Sequence, residues 1–147
     1  MILAKDIEQY NSEYLYFTNA TKNSVMKNGN FIKILYFTPL FRLNGIYLKI
    51  NIANYLNTES YRNDYIFNPF LHQELIEKIK NIEIDILQKM NILNKVPEYN
   101  LHSRLMSGNI KIFTELLEDK FDNFIVKISG IWENEHKYGL NYKFIRK

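Results

Sequence analysis

Apolar and polar positions alternate with period two over residues 46 to 53. Ile46, Leu48, Ile50 and Ile52 take one side, and Tyr47, Lys49, Asn51 and Ala53 the other. A strand with one buried and one wet face reads this way. Upstream, "FIKILYFTPLF" (residues 31 to 41) predicts a partner strand. The two arms are expected to form a hairpin across "RLNG", where Asn44-Gly45 supplies the positive φ angles of a tight turn. Residues 14 to 23, "YLYFTNATKN", predict a first strand.

From Phe70 to about Leu93 the period becomes helical. Leu71, Leu75, Ile79, Ile82, Ile86, Met90 and Leu93 recur every three or four residues, Ile76 and Leu87 widen the stripe, and Glu74 precedes Lys78 by four. Residues 55 to 69 lack a clean period and end in Asn68-Pro69, so they read as a loop with room for a short strand; residues 94 to 108 read as a connector. "NIKIFTELLED", "FIVKISGIWEN" and "YGLNYKFIRK" then predict three strands, the last two joined by a polar turn around Asn134 to Lys137, although "FTELLED" also admits a helical turn. Strand order with one helix between the third and fourth strands predicts a mainly β, α+β fold. It is that of an OB-like five- to six-stranded barrel in which the helix plugs one end.

Composition narrows the function classes. A chain of 147 residues accommodates a single domain over residues 1 to 147. Without cysteine there is no disulfide framework or thiolate metal site. The amino terminus lacks a basic segment followed by an apolar one, and no window approaches 18 uncharged apolar residues, so a cytoplasmic location without membrane partners is expected. The net charge of +3 is unevenly spread: Tyr14 to Thr58 contains no acid, and beyond Glu135 lie Lys137, Lys143, Arg146 and Lys147 without one. A basic face suits a polyanion.

Catalytic signatures are lacking. His72, just before the helix where a partly exposed histidine is expected, His102 and His136 stand in three separate contexts without metalloprotease spacing, and neither a phosphate-cradling glycine loop nor a nucleophile elbow occurs. "ENEH", residues 133 to 136, sits where turn charges are expected, so no metal, cofactor or enzymatic activity is predicted. Cations interleaved with aromatics, by contrast, fit the charged backbone and exposed base faces of unpaired nucleic acid. Tyr47 and Lys49 share the wet face of their strand, and Lys33 points the exposed way together with Phe37. Lys127 and Ser129 break the outward face of a strand whose Phe124, Val126 and Ile128 are core. Arg42 in the turn and Tyr61, Arg62 and Tyr65 in the long loop extend the set.

Trp132, the single tryptophan, admits two placements. Strict alternation puts it on the core side with Ile128, capping the strand end. A bulge at Gly130 would turn it toward the Lys127 face.

Residues 124 to 145, "FIVKISGIWENEHKYGLNYKFI", resemble a C-terminal pattern of single-stranded-DNA-binding proteins from yeast cytoplasmic linear plasmids and large cytoplasmic DNA viruses. The pattern is a strand ending in Gly-x-Trp, a charged turn and a Gly-Leu-x-Tyr-Lys strand. It is matched by Gly130, Trp132, Gly139, Leu140, Tyr142 and Lys143. The resemblance implies an OB-like domain that coats single-stranded DNA during replication, without sequence preference or catalysis. Tyr142 enters the site through this motif, although alternation groups it with Leu140 and Phe144. Where many such proteins carry an acidic tail, this chain reads "KFIRK". The expected site is thus Lys33, Phe37, Arg42, Tyr47, Lys49, Arg62, Lys127, Trp132, Tyr142 and Lys143. Its expected partners are single-stranded DNA and replication proteins, with a second copy able to pair at an edge strand. The rival expectation is a protein-interaction or structural subunit of a viral or plasmid replication assembly, since interfaces are also aromatic-rich.

Overall fold

The computed structural model describes residues 4–22, 29–51, 59–61, 64–113 and 123–145. In chain order its strands and helices are β1 (Lys5–Asp6), β2 (Leu15–Phe17), β3 (Thr21–Lys22), β4 (Asn30–Phe37), β5 (Arg42–Leu43), β6 (Ile46–Asn51), β7 (Glu59–Tyr61), β8 (Asp64–Ile66), α1 (Gln73–Met90), β9 (Val96–Glu98), α2 (Asn100–Met106), β10 (Asn109–Phe113), β11 (Asn123–Glu133) and β12 (Lys137–Ile145). The strands make one curled, open sheet, a half-barrel, and the long helix packs with the shorter one against its inner face. The mainly β class with one dominant helix is as expected.

The organising element is β11. One edge pairs along its length with β12, antiparallel. Its other edge is divided: the first half pairs with β6 and the second with β4, both antiparallel. The expected hairpin between the arms we label β4 and β6 is therefore corrected, because the two lie end to end along β11 instead of pairing. The chain reverses earlier, in a turn where the Thr38 amide donates to the Phe41 carbonyl at 2.8 Å and the Phe41 amide donates to the Thr38 hydroxyl at 2.9 Å. This turn delivers β5 back onto β4. Gly45 has a φ of +104°, and a Cβ there would lie 2.8 Å from the Ile128 carbonyl oxygen. Glycine at this position lets β6 enter the edge of β11 where β4 leaves it.

Alternation in β6 is realised as expected: Ile46, Leu48 and Ile50 are buried. Helix α1 starts from signals visible in the sequence, the Asn68 side chain accepting from the Phe70 amide at 3.0 Å and Pro69 opening a 3-10 turn. It stops at Asn91, left-handed at φ 40°. Ile76, Ile79, Ile82, Ile86 and Leu87 form its buried stripe, but Leu71 and Leu93 fall outside the helix and are exposed.

Three further expectations are corrected. The residue 55 to 69 segment contains the β7–β8 hairpin, whose second strand pairs with β10, so Tyr61 and Tyr65 belong to strands; Arg62 lies outside the described residues. The connector folds into β9 and α2. His72, expected to be partly exposed, is buried.

The connector's helix has a specific cause. Glu83, fully buried on α1, accepts from the Leu101 amide at 2.9 Å and the His102 amide at 3.0 Å. Its carboxylate thus caps α2 from another helix, satisfying amide donors that the short helix cannot.

Candidate nucleic-acid interface

Register assigns the faces of the central strands. Opposed residues share a face, and Val126 stands opposite Phe144 and Leu48, all buried. On the other face, Lys127 stands opposite Lys143 on one side and Tyr47 on the other. The ladder then slips. Ile128 pairs with Tyr142, but Gly130 pairs with Asn141, so Ser129 is the extra residue of a bulge. Beyond it, Ile131 faces the core with Leu140 and Ile32, and Trp132 comes to the Lys127 face, opposite Gly139 and Phe31. Of the two placements open to Trp132, the structure adopts the bulged one.

Glycines make room for the rings on this face. A Cβ on Gly139 would sit 2.8 Å from Trp132 Cζ2, and one on Gly130 would sit 2.5 Å from Phe31 Cζ. The two aromatics are cross-strand neighbours, and each covers a glycine on an adjacent strand. Backbone therefore supports each ring from below. Phe31, which alternation alone did not single out, joins the face; Gly130 beside Trp132 was the available signal.

Cations surround the pair. Lys33 is opposite Gly130, and Lys49 is opposite Ile125, two positions along β11 from Lys127. Lys33, Lys49 and Lys143 are exposed and Lys127 is half-buried. The Lys127 ammonium lies over the Tyr47 ring, 5.6 Å from its centroid, a cation–π contact that orients both side chains. Acidic residues with outward register positions on this part of the sheet, among the described residues, stand only at its margins: Asp6 opposite Lys49 and Glu98 opposite Gly139. At the far end of β4, Phe37 packs against Tyr16, ring centroids 5.2 Å apart, and the Arg42 guanidinium lies 5.5 Å from the Phe37 centroid.

Lys33, Phe37, Arg42, Tyr47, Lys49, Lys127, Trp132 and Lys143 thus share the outward face. Tyr142 does not: it stands opposite Ile128 on the inner face, and its hydroxyl donates to the Asn100 carbonyl at 3.3 Å. Burial raises its pKa. The motif's tyrosine holds α2 to the sheet.

The turn after β11 is likewise structural. Glu133 accepts from Lys95 at 2.8 Å and from Asn30 at 3.0 Å, joining β11, β4 and the loop before β9. Its pKa is lowered chiefly by the Lys95 hydrogen bond. Glu135 and His136 are exposed. Among the described residues no cluster of three or more His, Asp or Glu is arranged to hold a metal ion. Nor is any helix there long and apolar enough to cross a membrane.

No family model, curated protein or solved structure matches this chain, which leaves the geometry of this face and the chemistry of its side chains as the guide to function.

Proposed function

We propose that the protein is a non-catalytic, largely sequence-independent single-stranded-DNA-binding protein of DNA replication, built on an OB-like half-barrel and acting in the cytoplasm. The observation that carries this reading is the Ser129 bulge, which brings Trp132 onto the same face as Lys33, Lys127 and Lys143. Bases stack on Trp132 and Phe31, each contributing about 1–3 kcal/mol, while the lysines follow the phosphates. The resemblance of residues 124 to 145 to viral and plasmid single-strand binders supports the same assignment.

Trp132 is its own reporter. Titration with oligo-dT and with a duplex of equal length, at low and moderate salt, is expected to quench its fluorescence saturably for the single strand, more weakly for the duplex, and less at higher salt. Anisotropy of a labelled oligo-dT read in parallel detects binding remote from Trp132. Silence in both overturns the assignment.

A second reading, an interaction subunit of a replication assembly, draws on a different surface. Phe70 is 68% exposed, and Leu71 and Ile66 are also open, beside an apolar pocket lined by Phe67, Leu75, Leu105 and Phe124. Concentration-dependent oligomerisation without oligonucleotide binding would favour it.

A further inference from the structure

The outward face extends past the Trp132 region along β4. Its outward positions are Phe31, Lys33, Leu35 and Phe37, and the strands beyond add Tyr16 from β2 and Arg42 from β5. None of the outward positions on these three strands is acidic. Near Phe31, aromatic surface comes from Phe31 and Trp132; at the other end it comes from Phe37 and Tyr16, with Arg42 held over the Phe37 ring. Tyr16 is 50% exposed and Arg42 is exposed, so this second group is open to a ligand.

Phe37 lies six positions beyond Phe31, about 20 Å along an extended strand at roughly 3.3 Å per residue. A stacked single strand advances about 3.4 Å per nucleotide and an extended one up to roughly twice that, so the two groups stand about three to six nucleotides apart.

Resting on the single-strand reading above, we infer that the face holds two stacking stations on one track. The first is Trp132 with Phe31, and the second is Phe37 with Tyr16 and Arg42. Lys33 lies between them on β4 and bridges the intervening phosphates. A polynucleotide long enough to reach both stations gains contacts that a short one cannot, because the second binding event becomes intramolecular. The guanidinium over Phe37 is suited to both parts of a nucleotide, since it contacts a π-face and carries a charge for phosphate.

Oligo length separates the stations. Oligo-dT of about two nucleotides, too short to reach both stations even when extended, and of about twelve would be titrated against the wild type, Trp132→Ala, Phe37→Ala and Arg42→Gln, using anisotropy of labelled DNA. Circular dichroism would verify that each variant is folded. Arg42→Gln is included because Arg42 is exposed and its replacement leaves the packing of Phe37 on Tyr16 in place. Phe37→Ala and Arg42→Gln are each expected to weaken the longer oligonucleotide about tenfold and to change the shorter one less than twofold. Trp132→Ala is expected to weaken both. Equal loss for both lengths in the Phe37 and Arg42 variants, or no loss for either, overturns the two-station track while leaving single-strand binding intact. Failure of the wild type to bind either length overturns the single-strand reading itself and the track with it.

Discussion

Trp132 stands directly opposite Gly139 in the β11–β12 ladder, and its indole fills the space that a side chain at 139 would need. A Gly139→Ala substitution places a Cβ 2.8 Å from the ring and 2.9 Å from the Glu98 carbonyl oxygen. Relief requires either displacement of the indole or separation of β9 from β12. The variant is expected to lose about 1–3 kcal/mol of stability and to red-shift the emission of the single tryptophan as the ring moves into water. Urea unfolding and emission spectra check both.

Deleting Ser129 tests the bulge. Without the extra residue, Ile128 opposite Tyr142 is followed directly by Gly130 opposite Asn141, so the ladder becomes regular while Ile131 stays inward and Trp132 outward. The deletion is expected to keep cooperative urea unfolding and the outward Trp132 emission while losing the local twist of the bulge, and Ser129→Ala, which preserves the residue count, is expected to cost less than about 1 kcal/mol for its exposed hydrogen bond to the Asn141 carbonyl.

Lys127 and Lys143 face each other across two strands, and directly opposed like charges destabilise a sheet. Lys143→Gln is therefore expected to leave stability unchanged or raise it by about 0.2–1 kcal/mol. The same variant is expected to weaken oligo-dT binding and reduce its logarithmic salt slope by about 0.7. Stability and affinity moving in opposite directions would mark Lys143 as a ligand-facing residue. A loss of stability with unchanged affinity would remove it from the site.

Glu83 and Glu133 make opposite contributions to pH dependence. Burial raises the Glu83 pKa, its two amide donors acting in the opposite direction, so the folded protein holds this proton more tightly than the unfolded chain does. Its contribution is greatest below the ordinary carboxyl value of 4.5 and declines as pH rises through the folded-state value. Glu83→Gln is expected to flatten that decline in urea titrations between pH 4 and 7. Glu83→Ala, which leaves the Leu101 and His102 amides without their acceptor, is expected to cost about 2–4 kcal/mol at the acid end of that range and less as pH rises.

For Glu133 the sign reverses. Lys95 depresses its pKa, so the stability it contributes is present above the ordinary value of 4.5 and is lost as pH falls through the lower folded-state value. Lys95→Ala is expected to cost about 1–3 kcal/mol at pH 7, discounted from a fully buried pair because Lys95 is partly open to solvent. It is also expected to move the acid-unfolding midpoint to higher pH. An unchanged midpoint would show that Asn30 alone holds the carboxylate.

Local pattern in the sequence was enough to place several parts of the fold. Alternation assigned the inner face of β6 and of the first half of β11, since one buried side imposes period two on the residues that line it. Asn68-Pro69 and the apolar stripe located α1 within about three residues, because capping and amphipathicity act over a single turn. Gly130 marked the bulge, and with it the route by which Trp132 could reach the lysines.

Tertiary structure decided the rest. Which strands pair is not written in the alternation of either one, so β4 and β6 could read as hairpin arms while lying end to end on β11. Helix α2 depends on a carboxylate eighteen positions earlier, Glu83, reaching its amides, and seven residues alone carry little helical signal. Phe31 became part of the face only when the register set it beside Trp132 and over Gly130. Alternation had already grouped Tyr142 with Leu140 and Phe144, and tertiary structure added the partner of its hydroxyl, the Asn100 carbonyl. Periodicity is a property of neighbours in sequence, whereas pairing, capping across helices and ring-over-glycine contacts arise between residues that only folding brings together.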